Sequence, residues 1–413
     1  MKEYNLNQVF GNNSELLETY IKREYVDDEF YDALQSNKQI MIYGSSKQGK
    51  TTLLKQYIDY DGESEFNNVV YSVNKKTDLA DIYSYILKNA GLRMSTSYTE
   101  GTGQARSDTI KIRPKIIKTI ALNFNNEEFN IVEPQDVATY LKKLNQQNKI
   151  IILENFHYLT IDNQRKFAFD LRTFQDLKIK FIILGVWRDK NKLALFNGDL
   201  LDRVHEIPVE PWDKKDFCKV IKIGEDKLNI KLSEEVKTKI IKMSFSSIGV
   251  LQDLLHLYCN QYKVRKTQKK TMVLDNLDRL RNVFYRKADT YGTRHRNVLK
   301  AIADNNTTLN LPYYIIQKIL HTSVDKLEVG LSLQSITNSI IRQHSSKNIK
   351  EHYIKEALEK LSSIQSDKDI SPPILMFDSN ANLLQITDST LYFWMRNTDI
   401  RQFSQDLKKM YSD

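Results

Sequence analysis

The chain has 413 residues, of which 41% are hydrophobic and 27% charged, a composition typical of folded globular proteins and not of disordered ones. This length exceeds what one hydrophobic core usually supports, so we expect two or three domains. A formal charge of +9 favours polyanionic partners without proving them.

Cysteine usage and hydropathy suggest where such a protein would reside. The chain has only two cysteines, which makes a disulfide framework unlikely and a reducing compartment the expectation. The longest apolar run, Phe181 to Trp187, is too short to span a bilayer. The first residues contain no apolar signal core. We therefore expect a cytoplasmic protein without a membrane anchor.

The first half of the chain predicts a parallel α/β domain. Residues 14–35 have the apolar spacing of a helix. A strand at 39–43 precedes a glycine-containing loop and a helix that runs to Tyr60, and a strand at 68–73 precedes a helix at 78–92. This order implies a parallel sheet with right-handed crossovers.

A polar segment interrupts this alternation. Residues 93–115 are polar and carry two glycines, so we expect a mobile surface loop there, followed by an inserted hairpin up to Val132. The predicted elements that follow are a helix at 134–147, a strand that ends at Glu154, a helix at 163–177, and strands at 178–187 and 205–211.

Residues 44–51, with the sequence GSSKQGKT, match the phosphate-binding pattern G-x-x-x-x-G-K-[ST] in full. Glycines let backbone amides curl around phosphate oxygens, Lys50 neutralises the outer phosphates, and the Thr51 hydroxyl takes one Mg²⁺ position. The helix that follows directs its positive end at the anion. We therefore predict that ATP or ADP is bound with Mg²⁺ by the loop residues Gly44, Ser45, Ser46, Lys47, Gln48, Gly49, Lys50, Thr51 and Thr52.

A phosphate-binding loop of this kind needs an acid for its metal, on a neighbouring strand. Four apolar residues, 150–153, lead into Glu154, which we predict as the second Mg²⁺ ligand beside Thr51. Many ATPases carry a second carboxylate at the next position, but here it is Asn155, which can orient a water but cannot accept its proton. Losing a general base typically lowers a rate by about 10²–10⁴. We therefore expect slow hydrolysis.

From Trp212 onward the sequence predicts helices, without strands as far as residue 263. We divide the chain into a nucleotide-binding domain at 1–211, a helical lid with a basic connector at 212–290, and a C-terminal domain at 291–413. In the last domain we predict helices at 294–303, 311–320, 333–343 and 349–364, two strands within 373–388, and a closing helix at 389–398.

These motifs resemble the AAA+ and STAND branch of P-loop ATPases, above all the origin-recognition and initiator-type subgroup that ends in a winged helix. The blocks YGSSKQGKT and FHYL are also similar to those of a group of uncharacterised bacterial ATPases. The resemblance covers most of the chain and implies an α/β P-loop NTPase core, an all-helical lid and a C-terminal winged-helix domain.

The resemblance also implies further site residues. The segment before the first strand would close over the adenine, which points to Arg23, Tyr25 and Val26. The strand at 178–187 would be the sensor-1 strand, with Arg188 or Asn191 as its polar tip.

Two arginine positions of the family can be compared with this chain. The segment DLLDRVHEI resembles the box of the arginine finger, which makes Arg203 the candidate to reach a neighbouring subunit's γ-phosphate; a structural salt bridge is the alternative. In IGVLQDLL, Gln252 replaces the sensor-2 arginine. Both this change and Asn155 favour a nucleotide-controlled switch over a processive motor.

Two classes of function remain open. In the first, ATP drives ordering or homo-oligomerisation, and the protein grips double-stranded DNA through the winged helix and the basic stretch 263–296, as in transposition, replication-type or antiphage ATPases. In the second, it is a signalling ATPase whose winged helix clamps the core or docks a protein effector. The helix at 348–361, in the place of a recognition helix, has balanced charges, which weakens the DNA hypothesis.

Overall fold

The computed structural model describes residues 2–11, 16–58, 68–90, 93–100, 116–124, 127–130, 134–143, 149–187, 192–304, 309–346 and 349–411. Its helices are Leu6–Phe10 (α1), Glu24–Gln35 (α2), Lys50–Tyr57 (α3), Leu79–Asn89 (α4), Pro134–Lys143 (α5), Ile161–Asp176 (α6), Lys214–Leu228 (α7), Glu234–Met243 (α8), Ile248–Gln261 (α9), Leu277–Ala303 (α10), Leu311–Leu320 (α11), Val324–Val329 (α12), Leu333–Gln343 (α13), Glu351–Glu359 (α14), Leu361–Asp367 (α15), Ser389–Asn397 (α16) and Arg401–Tyr411 (α17). Its strands are Gln39–Tyr43 (β1), Val69–Ser72 (β2), Arg93–Glu100 (β3), Ile116–Phe124 (β4), Glu127–Asn130 (β5), Ile150–Glu154 (β6), Lys180–Gly185 (β7), Val204–Pro208 (β8), Ile230–Leu232 (β9), Met272–Leu274 (β10), Leu331–Ser332 (β11), Leu375–Asp378 (β12) and Leu383–Ile386 (β13).

The chain divides into two compact units. The α/β unit comprises Glu24–Tyr43 and Leu53–Pro208, and the helical unit comprises Met1–Arg23, Gly44–Thr52 and Val209–Asp413. The phosphate-binding loop thus belongs to the helical unit, although β1, which leads into it, belongs to the α/β unit. Among the described residues, none of the helices is both long and apolar enough to cross a membrane.

The α/β unit is built on a five-stranded parallel sheet in the order β2-β6-β7-β1-β8. All residues of β1 are buried, as are the Ile, Leu and Phe residues of β7, because a parallel sheet is covered on both faces. Side chains of α4, α5 and α6, among them Ile86, Leu141 and Phe167, pack with the sheet in one core. This confirms the predicted α/β core.

The strand order corrects one expectation. We predicted the metal-side acid on the strand next to β1, but β7 lies between β1 and β6. Ile182 of β7 pairs with Ile40 on one side and with Ile152 on the other. The apolar runs of β6 and β7 are alike, so their composition could not give their order.

The segment after α4 also differs from the prediction. Residues 93–100, expected in a loop, form β3, which pairs antiparallel with β4, and β4 pairs with β5. The expected hairpin before Val132 is therefore present as part of a three-stranded sheet. The rest of the predicted mobile loop, residues 101–115, lies outside the described residues.

The predicted helix at 14–35 is shorter than expected, because α2 begins only at Glu24. Leu17 and Ile21 are buried at 8% and 7% exposure, and the Thr19 hydroxyl donates to the carbonyl of Val9 at 2.6 Å. The apolar spacing in this segment thus reflects side chains packed in a non-helical segment.

The helical unit contains α7, α8 and α9, followed by the long helix α10. The prediction of no strands here was wrong, because β9 pairs in parallel with β10. The domain boundary predicted at residue 290 falls inside α10, which runs unbroken from Leu277 to Ala303.

The C-terminal elements follow in the order α11, α12, β11, α13, α14, α15, β12 and β13. Strands β12 and β13 form the predicted hairpin, and β11 adds to it antiparallel, giving the order β11-β13-β12. The predicted bounds of α11 and α13 agree with the structure. Helix α17, which follows α16, was not predicted.

Candidate nucleotide site

The loop between β1 and α3 has the backbone of an anion cradle. Gly44 has φ +146° and Gly49 has φ +87°, and Lys47 between them is left-handed at φ +63°. A Cβ atom on Gly44 would come within 2.8 Å of a methyl carbon of Val209. Both the dihedral angle and this close approach therefore require glycine at position 44.

Lys50 is held in place by the loop itself. Its ammonium donates to the carbonyls of Gly44 at 2.9 Å and Ser45 at 2.7 Å. Burial lowers the pKa of Lys50 to about 8, against the opposing effect of the Glu210 carboxylate. Because an ammonium has three N–H donors, one remains beyond these two bonds for a phosphate oxygen. The geometry fits the predicted role of Lys50.

Two residues that follow β8 complete the cradle and were missed by the sequence analysis. The amide of Ser45 donates to the carboxylate of Glu210. The indole Nε1 of Trp212 donates to the carbonyl of Gln48 at 3.2 Å. In the described part of the chain, the buried Oε1 atom of Gln48 accepts no hydrogen bond. These residues lie about 160 positions from the loop in sequence, so no local pattern could have indicated them.

The segment compared with sensor 2 does meet the loop. The amide of Gly249, at the start of α9, donates to the carbonyl of Lys47 at 3.0 Å. The ammonium of Lys47 lies 3.6 Å from the carboxylate of Asp253. Gln252 is half-buried beside Asp253 on the same helix. The charged contact from this helix to the loop is therefore made by the residue after Gln252.

Glu154 and Asn155 stand at the carboxyl end of β6. Glu154 pairs with Ser72 in the register of β2 and β6. Asn155 is left-handed, with φ 57° and ψ 33°, and its amide donates to the Ser72 hydroxyl at 3.0 Å. Asparagine is one of the few side chains that tolerate this backbone conformation. Asn155 therefore shapes the turn that follows β6. This backbone role was not predicted from the sequence.

The sheet places Glu154 at the edge where β1 also ends. Parallel strands end at a common edge, and Tyr43 pairs there with Gly185 while Leu153 pairs with Ile183. Two strand spacings separate β6 from β1, or roughly 10 Å. Glu154 and the end of β1 thus share one edge of the sheet, with β7 between their strands.

Among the described residues, no cluster of three or more His, Cys, Asp or Glu side chains could hold a metal ion. Magnesium commonly binds through one or two side chains together with substrate phosphates and water. The hydroxyl of Thr51 and the carboxylate of Glu154 are oxygen donors of the kind that Mg²⁺ accepts. A bound Mg²⁺ would neutralise phosphate charge there.

The residues compared with the adenine side have different environments. The guanidinium of Arg23 lies 3.8 Å from the centre of the Trp212 ring and donates to the carbonyl of Val209 at 2.8 Å. Val26 is fully buried in the α/β unit, and Tyr25 is 51% exposed.

Arg203 is ion-paired within its own unit. Its guanidinium lies 2.6 Å from the carboxylate of Asp176, and 34% of its side chain is exposed. This is the salt bridge that we gave as the alternative to an arginine finger. The predicted sensor-1 tip, Arg188 or Asn191, lies outside the described residues.

Solved structures similar to this chain include those of a Walker-type ATPase, ORC1 and Cdc6p. No curated protein matches the sequence. The chain is similar in structure to a Walker-type ATPase of Pyrococcus abyssi, with a TM-score of 0.54 and 13% identity over 94% of this chain and 99% of that one. ORC1 of Aeropyrum pernix, solved in complex with DNA, gives a TM-score of 0.44 at 10% identity and covers 98% of both chains. Cdc6p of Pyrobaculum aerophilum gives 0.40 at 10% identity, also with 98% of both chains covered.

A family model covers the part of the chain that contains the loop and most of the sheet. Residues 34–187 match the model of the AAA domain. This range includes the phosphate-binding loop, Glu154 and Asn155. The similarity to the AAA domain thus extends over residues 34–187.

Proposed function

We propose that the protein binds Mg-ATP at the loop 44–52 and hydrolyses it slowly as a nucleotide-controlled switch. The observation that carries this proposal is the Lys50 ammonium, anchored by the carbonyls of Gly44 and Ser45 inside a loop with left-handed glycines. Thr51 and Glu154 hold the Mg²⁺, and Asn155 orients water without taking its proton.

Calorimetry with purified protein tests this proposal. Wild type should take up Mg-ATP and Mg-ADP, and Lys50→Ala should bind both at least tenfold more weakly, because the charge that faces the outer phosphates is lost. Lys55→Ala, which removes the same charge from the same helix, is the matched control and should bind as wild type does. Uptake by Lys50→Ala equal to that of wild type contradicts the proposal.

We also propose that the C-terminal elements form a winged-helix domain that associates with DNA. The order helix, strand, three helices and hairpin, with β11 completing a three-stranded sheet, supports the winged helix. This would suit an initiator-like or STAND-type regulator of replication, transposition or antiphage defence. The alternative is a signalling ATPase in which the same domain clamps the core or docks a protein effector.

The DNA surface proposed from sequence needs revision. Several cations of the stretch 263–296 are neutralised by carboxylates, in the pairs Lys266–Glu3, Arg281–Asp278, Lys287–Asp253 and Arg294–Asp388. Directly after α14, Lys360 is paired with Glu356 of that helix at 2.6 Å. A groove of about 480 Å³ on α13 is instead lined without carboxylates, by Lys318, Ser332, Gln334, Ser335, Asn338, Ser339, Arg342 and Gln343. Such side chains suit phosphates and base edges.

A salt titration of duplex binding tests the DNA proposal. The logarithm of the affinity should fall linearly with the logarithm of salt concentration, and Arg342→Gln should reduce the slope by about 0.9 if Arg342 contacts one phosphate. Lys360→Gln removes a cation that is already paired with Glu356 of α14, so it should leave the slope unchanged. No binding even at low salt would favour the docking alternative.

A further inference from the structure

Asp253 on α9 joins the phosphate-binding loop to α10. Its carboxylate lies 2.9 Å from the ammonium of Lys287 and 3.6 Å from that of Lys47, and it accepts a hydrogen bond from the Tyr291 hydroxyl at 3.3 Å. The side chains of Asp253 and Lys287 are only 15% and 16% exposed. One shielded carboxylate is thus shared between a cation of the loop and a cation of α10.

On the loop side of this cluster, Lys47 makes two contacts with α9. Besides the ion pair of Lys47, the Lys47 carbonyl accepts from the amide of Gly249 on α9 at 3.0 Å. A Cβ atom on Gly249 would come within 2.6 Å of the Lys47 Cβ, so the two backbones are in close contact. A rearrangement of the loop around Lys47 must therefore act on α9.

The α10 side of the cluster continues toward the C-terminal helices. The ammonium of Lys287 lies 4.9 Å from the centre of the Tyr291 ring, and burial together with Asp253 raises the pKa of Tyr291, which stays a neutral donor. The same ring meets Phe393 of α16 edge-on at 6.0 Å.

The next turn of α10 is fastened to the beginning of α16. Arg294 pairs with Asp388 at 2.6 Å, and the ring of His295 is 3.0 Å from the Thr390 hydroxyl. Two successive turns of α10 therefore contact Asp253 and α16, with Tyr291 touching both. A displacement of Asp253 can therefore reach α16 through side chains of α10 that are in direct contact with both.

We propose that Asp253 is a positioning residue that transmits nucleotide occupancy from the loop to α10 and α16. The proposal rests on nucleotide binding by the loop. A bound triphosphate attracts the Lys47 ammonium and weakens its pair with Asp253. Asp253 keeps its contacts with Lys287 and Tyr291, and this changed balance of contacts moves α10 and, through Phe393 and Asp388, α16. Asp253 thus makes a charged link to the loop beside Gln252, which is the position of the sensor-2 arginine in the AAA+ ATPases that this chain resembles.

Hydrogen exchange of the whole chain, read by mass spectrometry with and without a slowly hydrolysed ATP analogue, tests the proposal. In wild type, the analogue should slow exchange at least threefold in the loop peptide and change it in peptides covering 285–296 and 388–397. In Asp253→Asn, at saturating analogue, loop protection should persist while the changes in α10 and α16 disappear. Asp226→Asn removes an exposed carboxylate paired with Lys222, so the analogue should change exchange in the α10 and α16 peptides as it does in wild type.

The outcomes separate the two proposals. An unprotected loop in wild type contradicts nucleotide binding itself. A protected loop with unchanged α10 and α16 peptides in wild type, or unchanged transmission in Asp253→Asn, overturns the role of Asp253. If Asp253→Asn is unfolded by circular dichroism, Lys47→Met breaks the same pair from the loop side and should also abolish transmission at saturating analogue.

Discussion

At the scale of single residues, the lowered pKa of Lys50 links nucleotide binding to pH. In the free protein burial lowers this pKa to about 8, and the negative charge of a bound triphosphate raises it. Binding therefore takes up a proton above pH 8, so affinity should fall as pH rises through 8, by up to about tenfold per pH unit.

Calorimetry between pH 7 and 9.5 measures this fall in affinity. Lys50→Arg is the control, because its guanidinium stays protonated in this range and should show a flat profile. A wild-type affinity that is constant from pH 7 to 9.5 would show that Lys50 does not change protonation on binding.

Asn155 is the second residue whose chemistry can be tested. Asn155→Asp restores a carboxylate and keeps a side chain that tolerates φ 57°. The Ser72 hydroxyl, which now accepts from Asn155, can turn and donate to the new carboxylate. We expect single-turnover hydrolysis to rise by about 10² or more.

Asn155→Gly separates the carboxylate from the backbone effect. Glycine keeps the left-handed turn without a base, so this variant should hydrolyse no faster than wild type. Equal rates for wild type and Asn155→Asp would mean that this position does not limit the chemistry.

At the scale of elements, the sequence predicted those whose apolar residues are regularly spaced. The bounds of β1, α11 and α13 agree with the structure because each buries a continuous or periodic set of apolar side chains. Helix α17 was not predicted because only two of its residues, Ser404 and Leu407, are buried. Strands β9 and β10 have three residues each, too few to show a period.

Only the contiguous part of the site could be predicted from the sequence. The loop 44–52 is contiguous, so its spacing alone carries its chemistry. Glu210, Trp212 and Asp253 approach the loop only because the chain returns there, and their contacts depend on tertiary packing. The role of Asn155 depends on a dihedral angle that composition does not specify.

One buried side chain joins two elements of the C-terminal hairpin region. Gln365 on α15 is 1% exposed, and its Oε1 accepts from the amides of Ile374 and Leu375 at 2.7 and 3.0 Å. Its Nε2 donates to the carbonyls of Leu361 and Leu375 at 3.0 and 2.8 Å. Gln365→Leu leaves these backbone groups unpaired and should lower the free energy of unfolding by about 3 kcal/mol.

Urea denaturation followed by circular dichroism measures this loss. Gln402→Leu on α17 changes an exposed glutamine whose amide donates to Asp406, so it should alter stability by less than about 0.5 kcal/mol. A Gln365→Leu transition that coincides with wild type would contradict the role given to Gln365.

At the scale of the whole molecule, the open question is whether chains act together. Arg203 and Asp176 form a surface pair, with 34% and 55% of their side chains exposed. Such pairs contribute about 0–1 kcal/mol, so breaking this one to serve a neighbouring chain costs little. We therefore predict that Arg203 acts in an assembly that ATP induces.

If Arg203 reaches a neighbour's phosphate, turnover per chain should rise with protein concentration in wild type. Light scattering with a slowly hydrolysed analogue should then show a mass above that of one chain. Arg203→Ala should lower turnover at high concentration at least tenfold, since an arginine supplied in trans stabilises charge in the transition state. Asp176→Asn removes the pair but keeps the arginine, so its turnover should equal or exceed that of wild type. The role in an assembly is contradicted if turnover is independent of concentration and if Arg203→Ala and Asp176→Asn are equally stable and equally active. Arg203 would then have a purely structural role. The two variants can differ in turnover only if Arg203 leaves the carboxylate of its own chain.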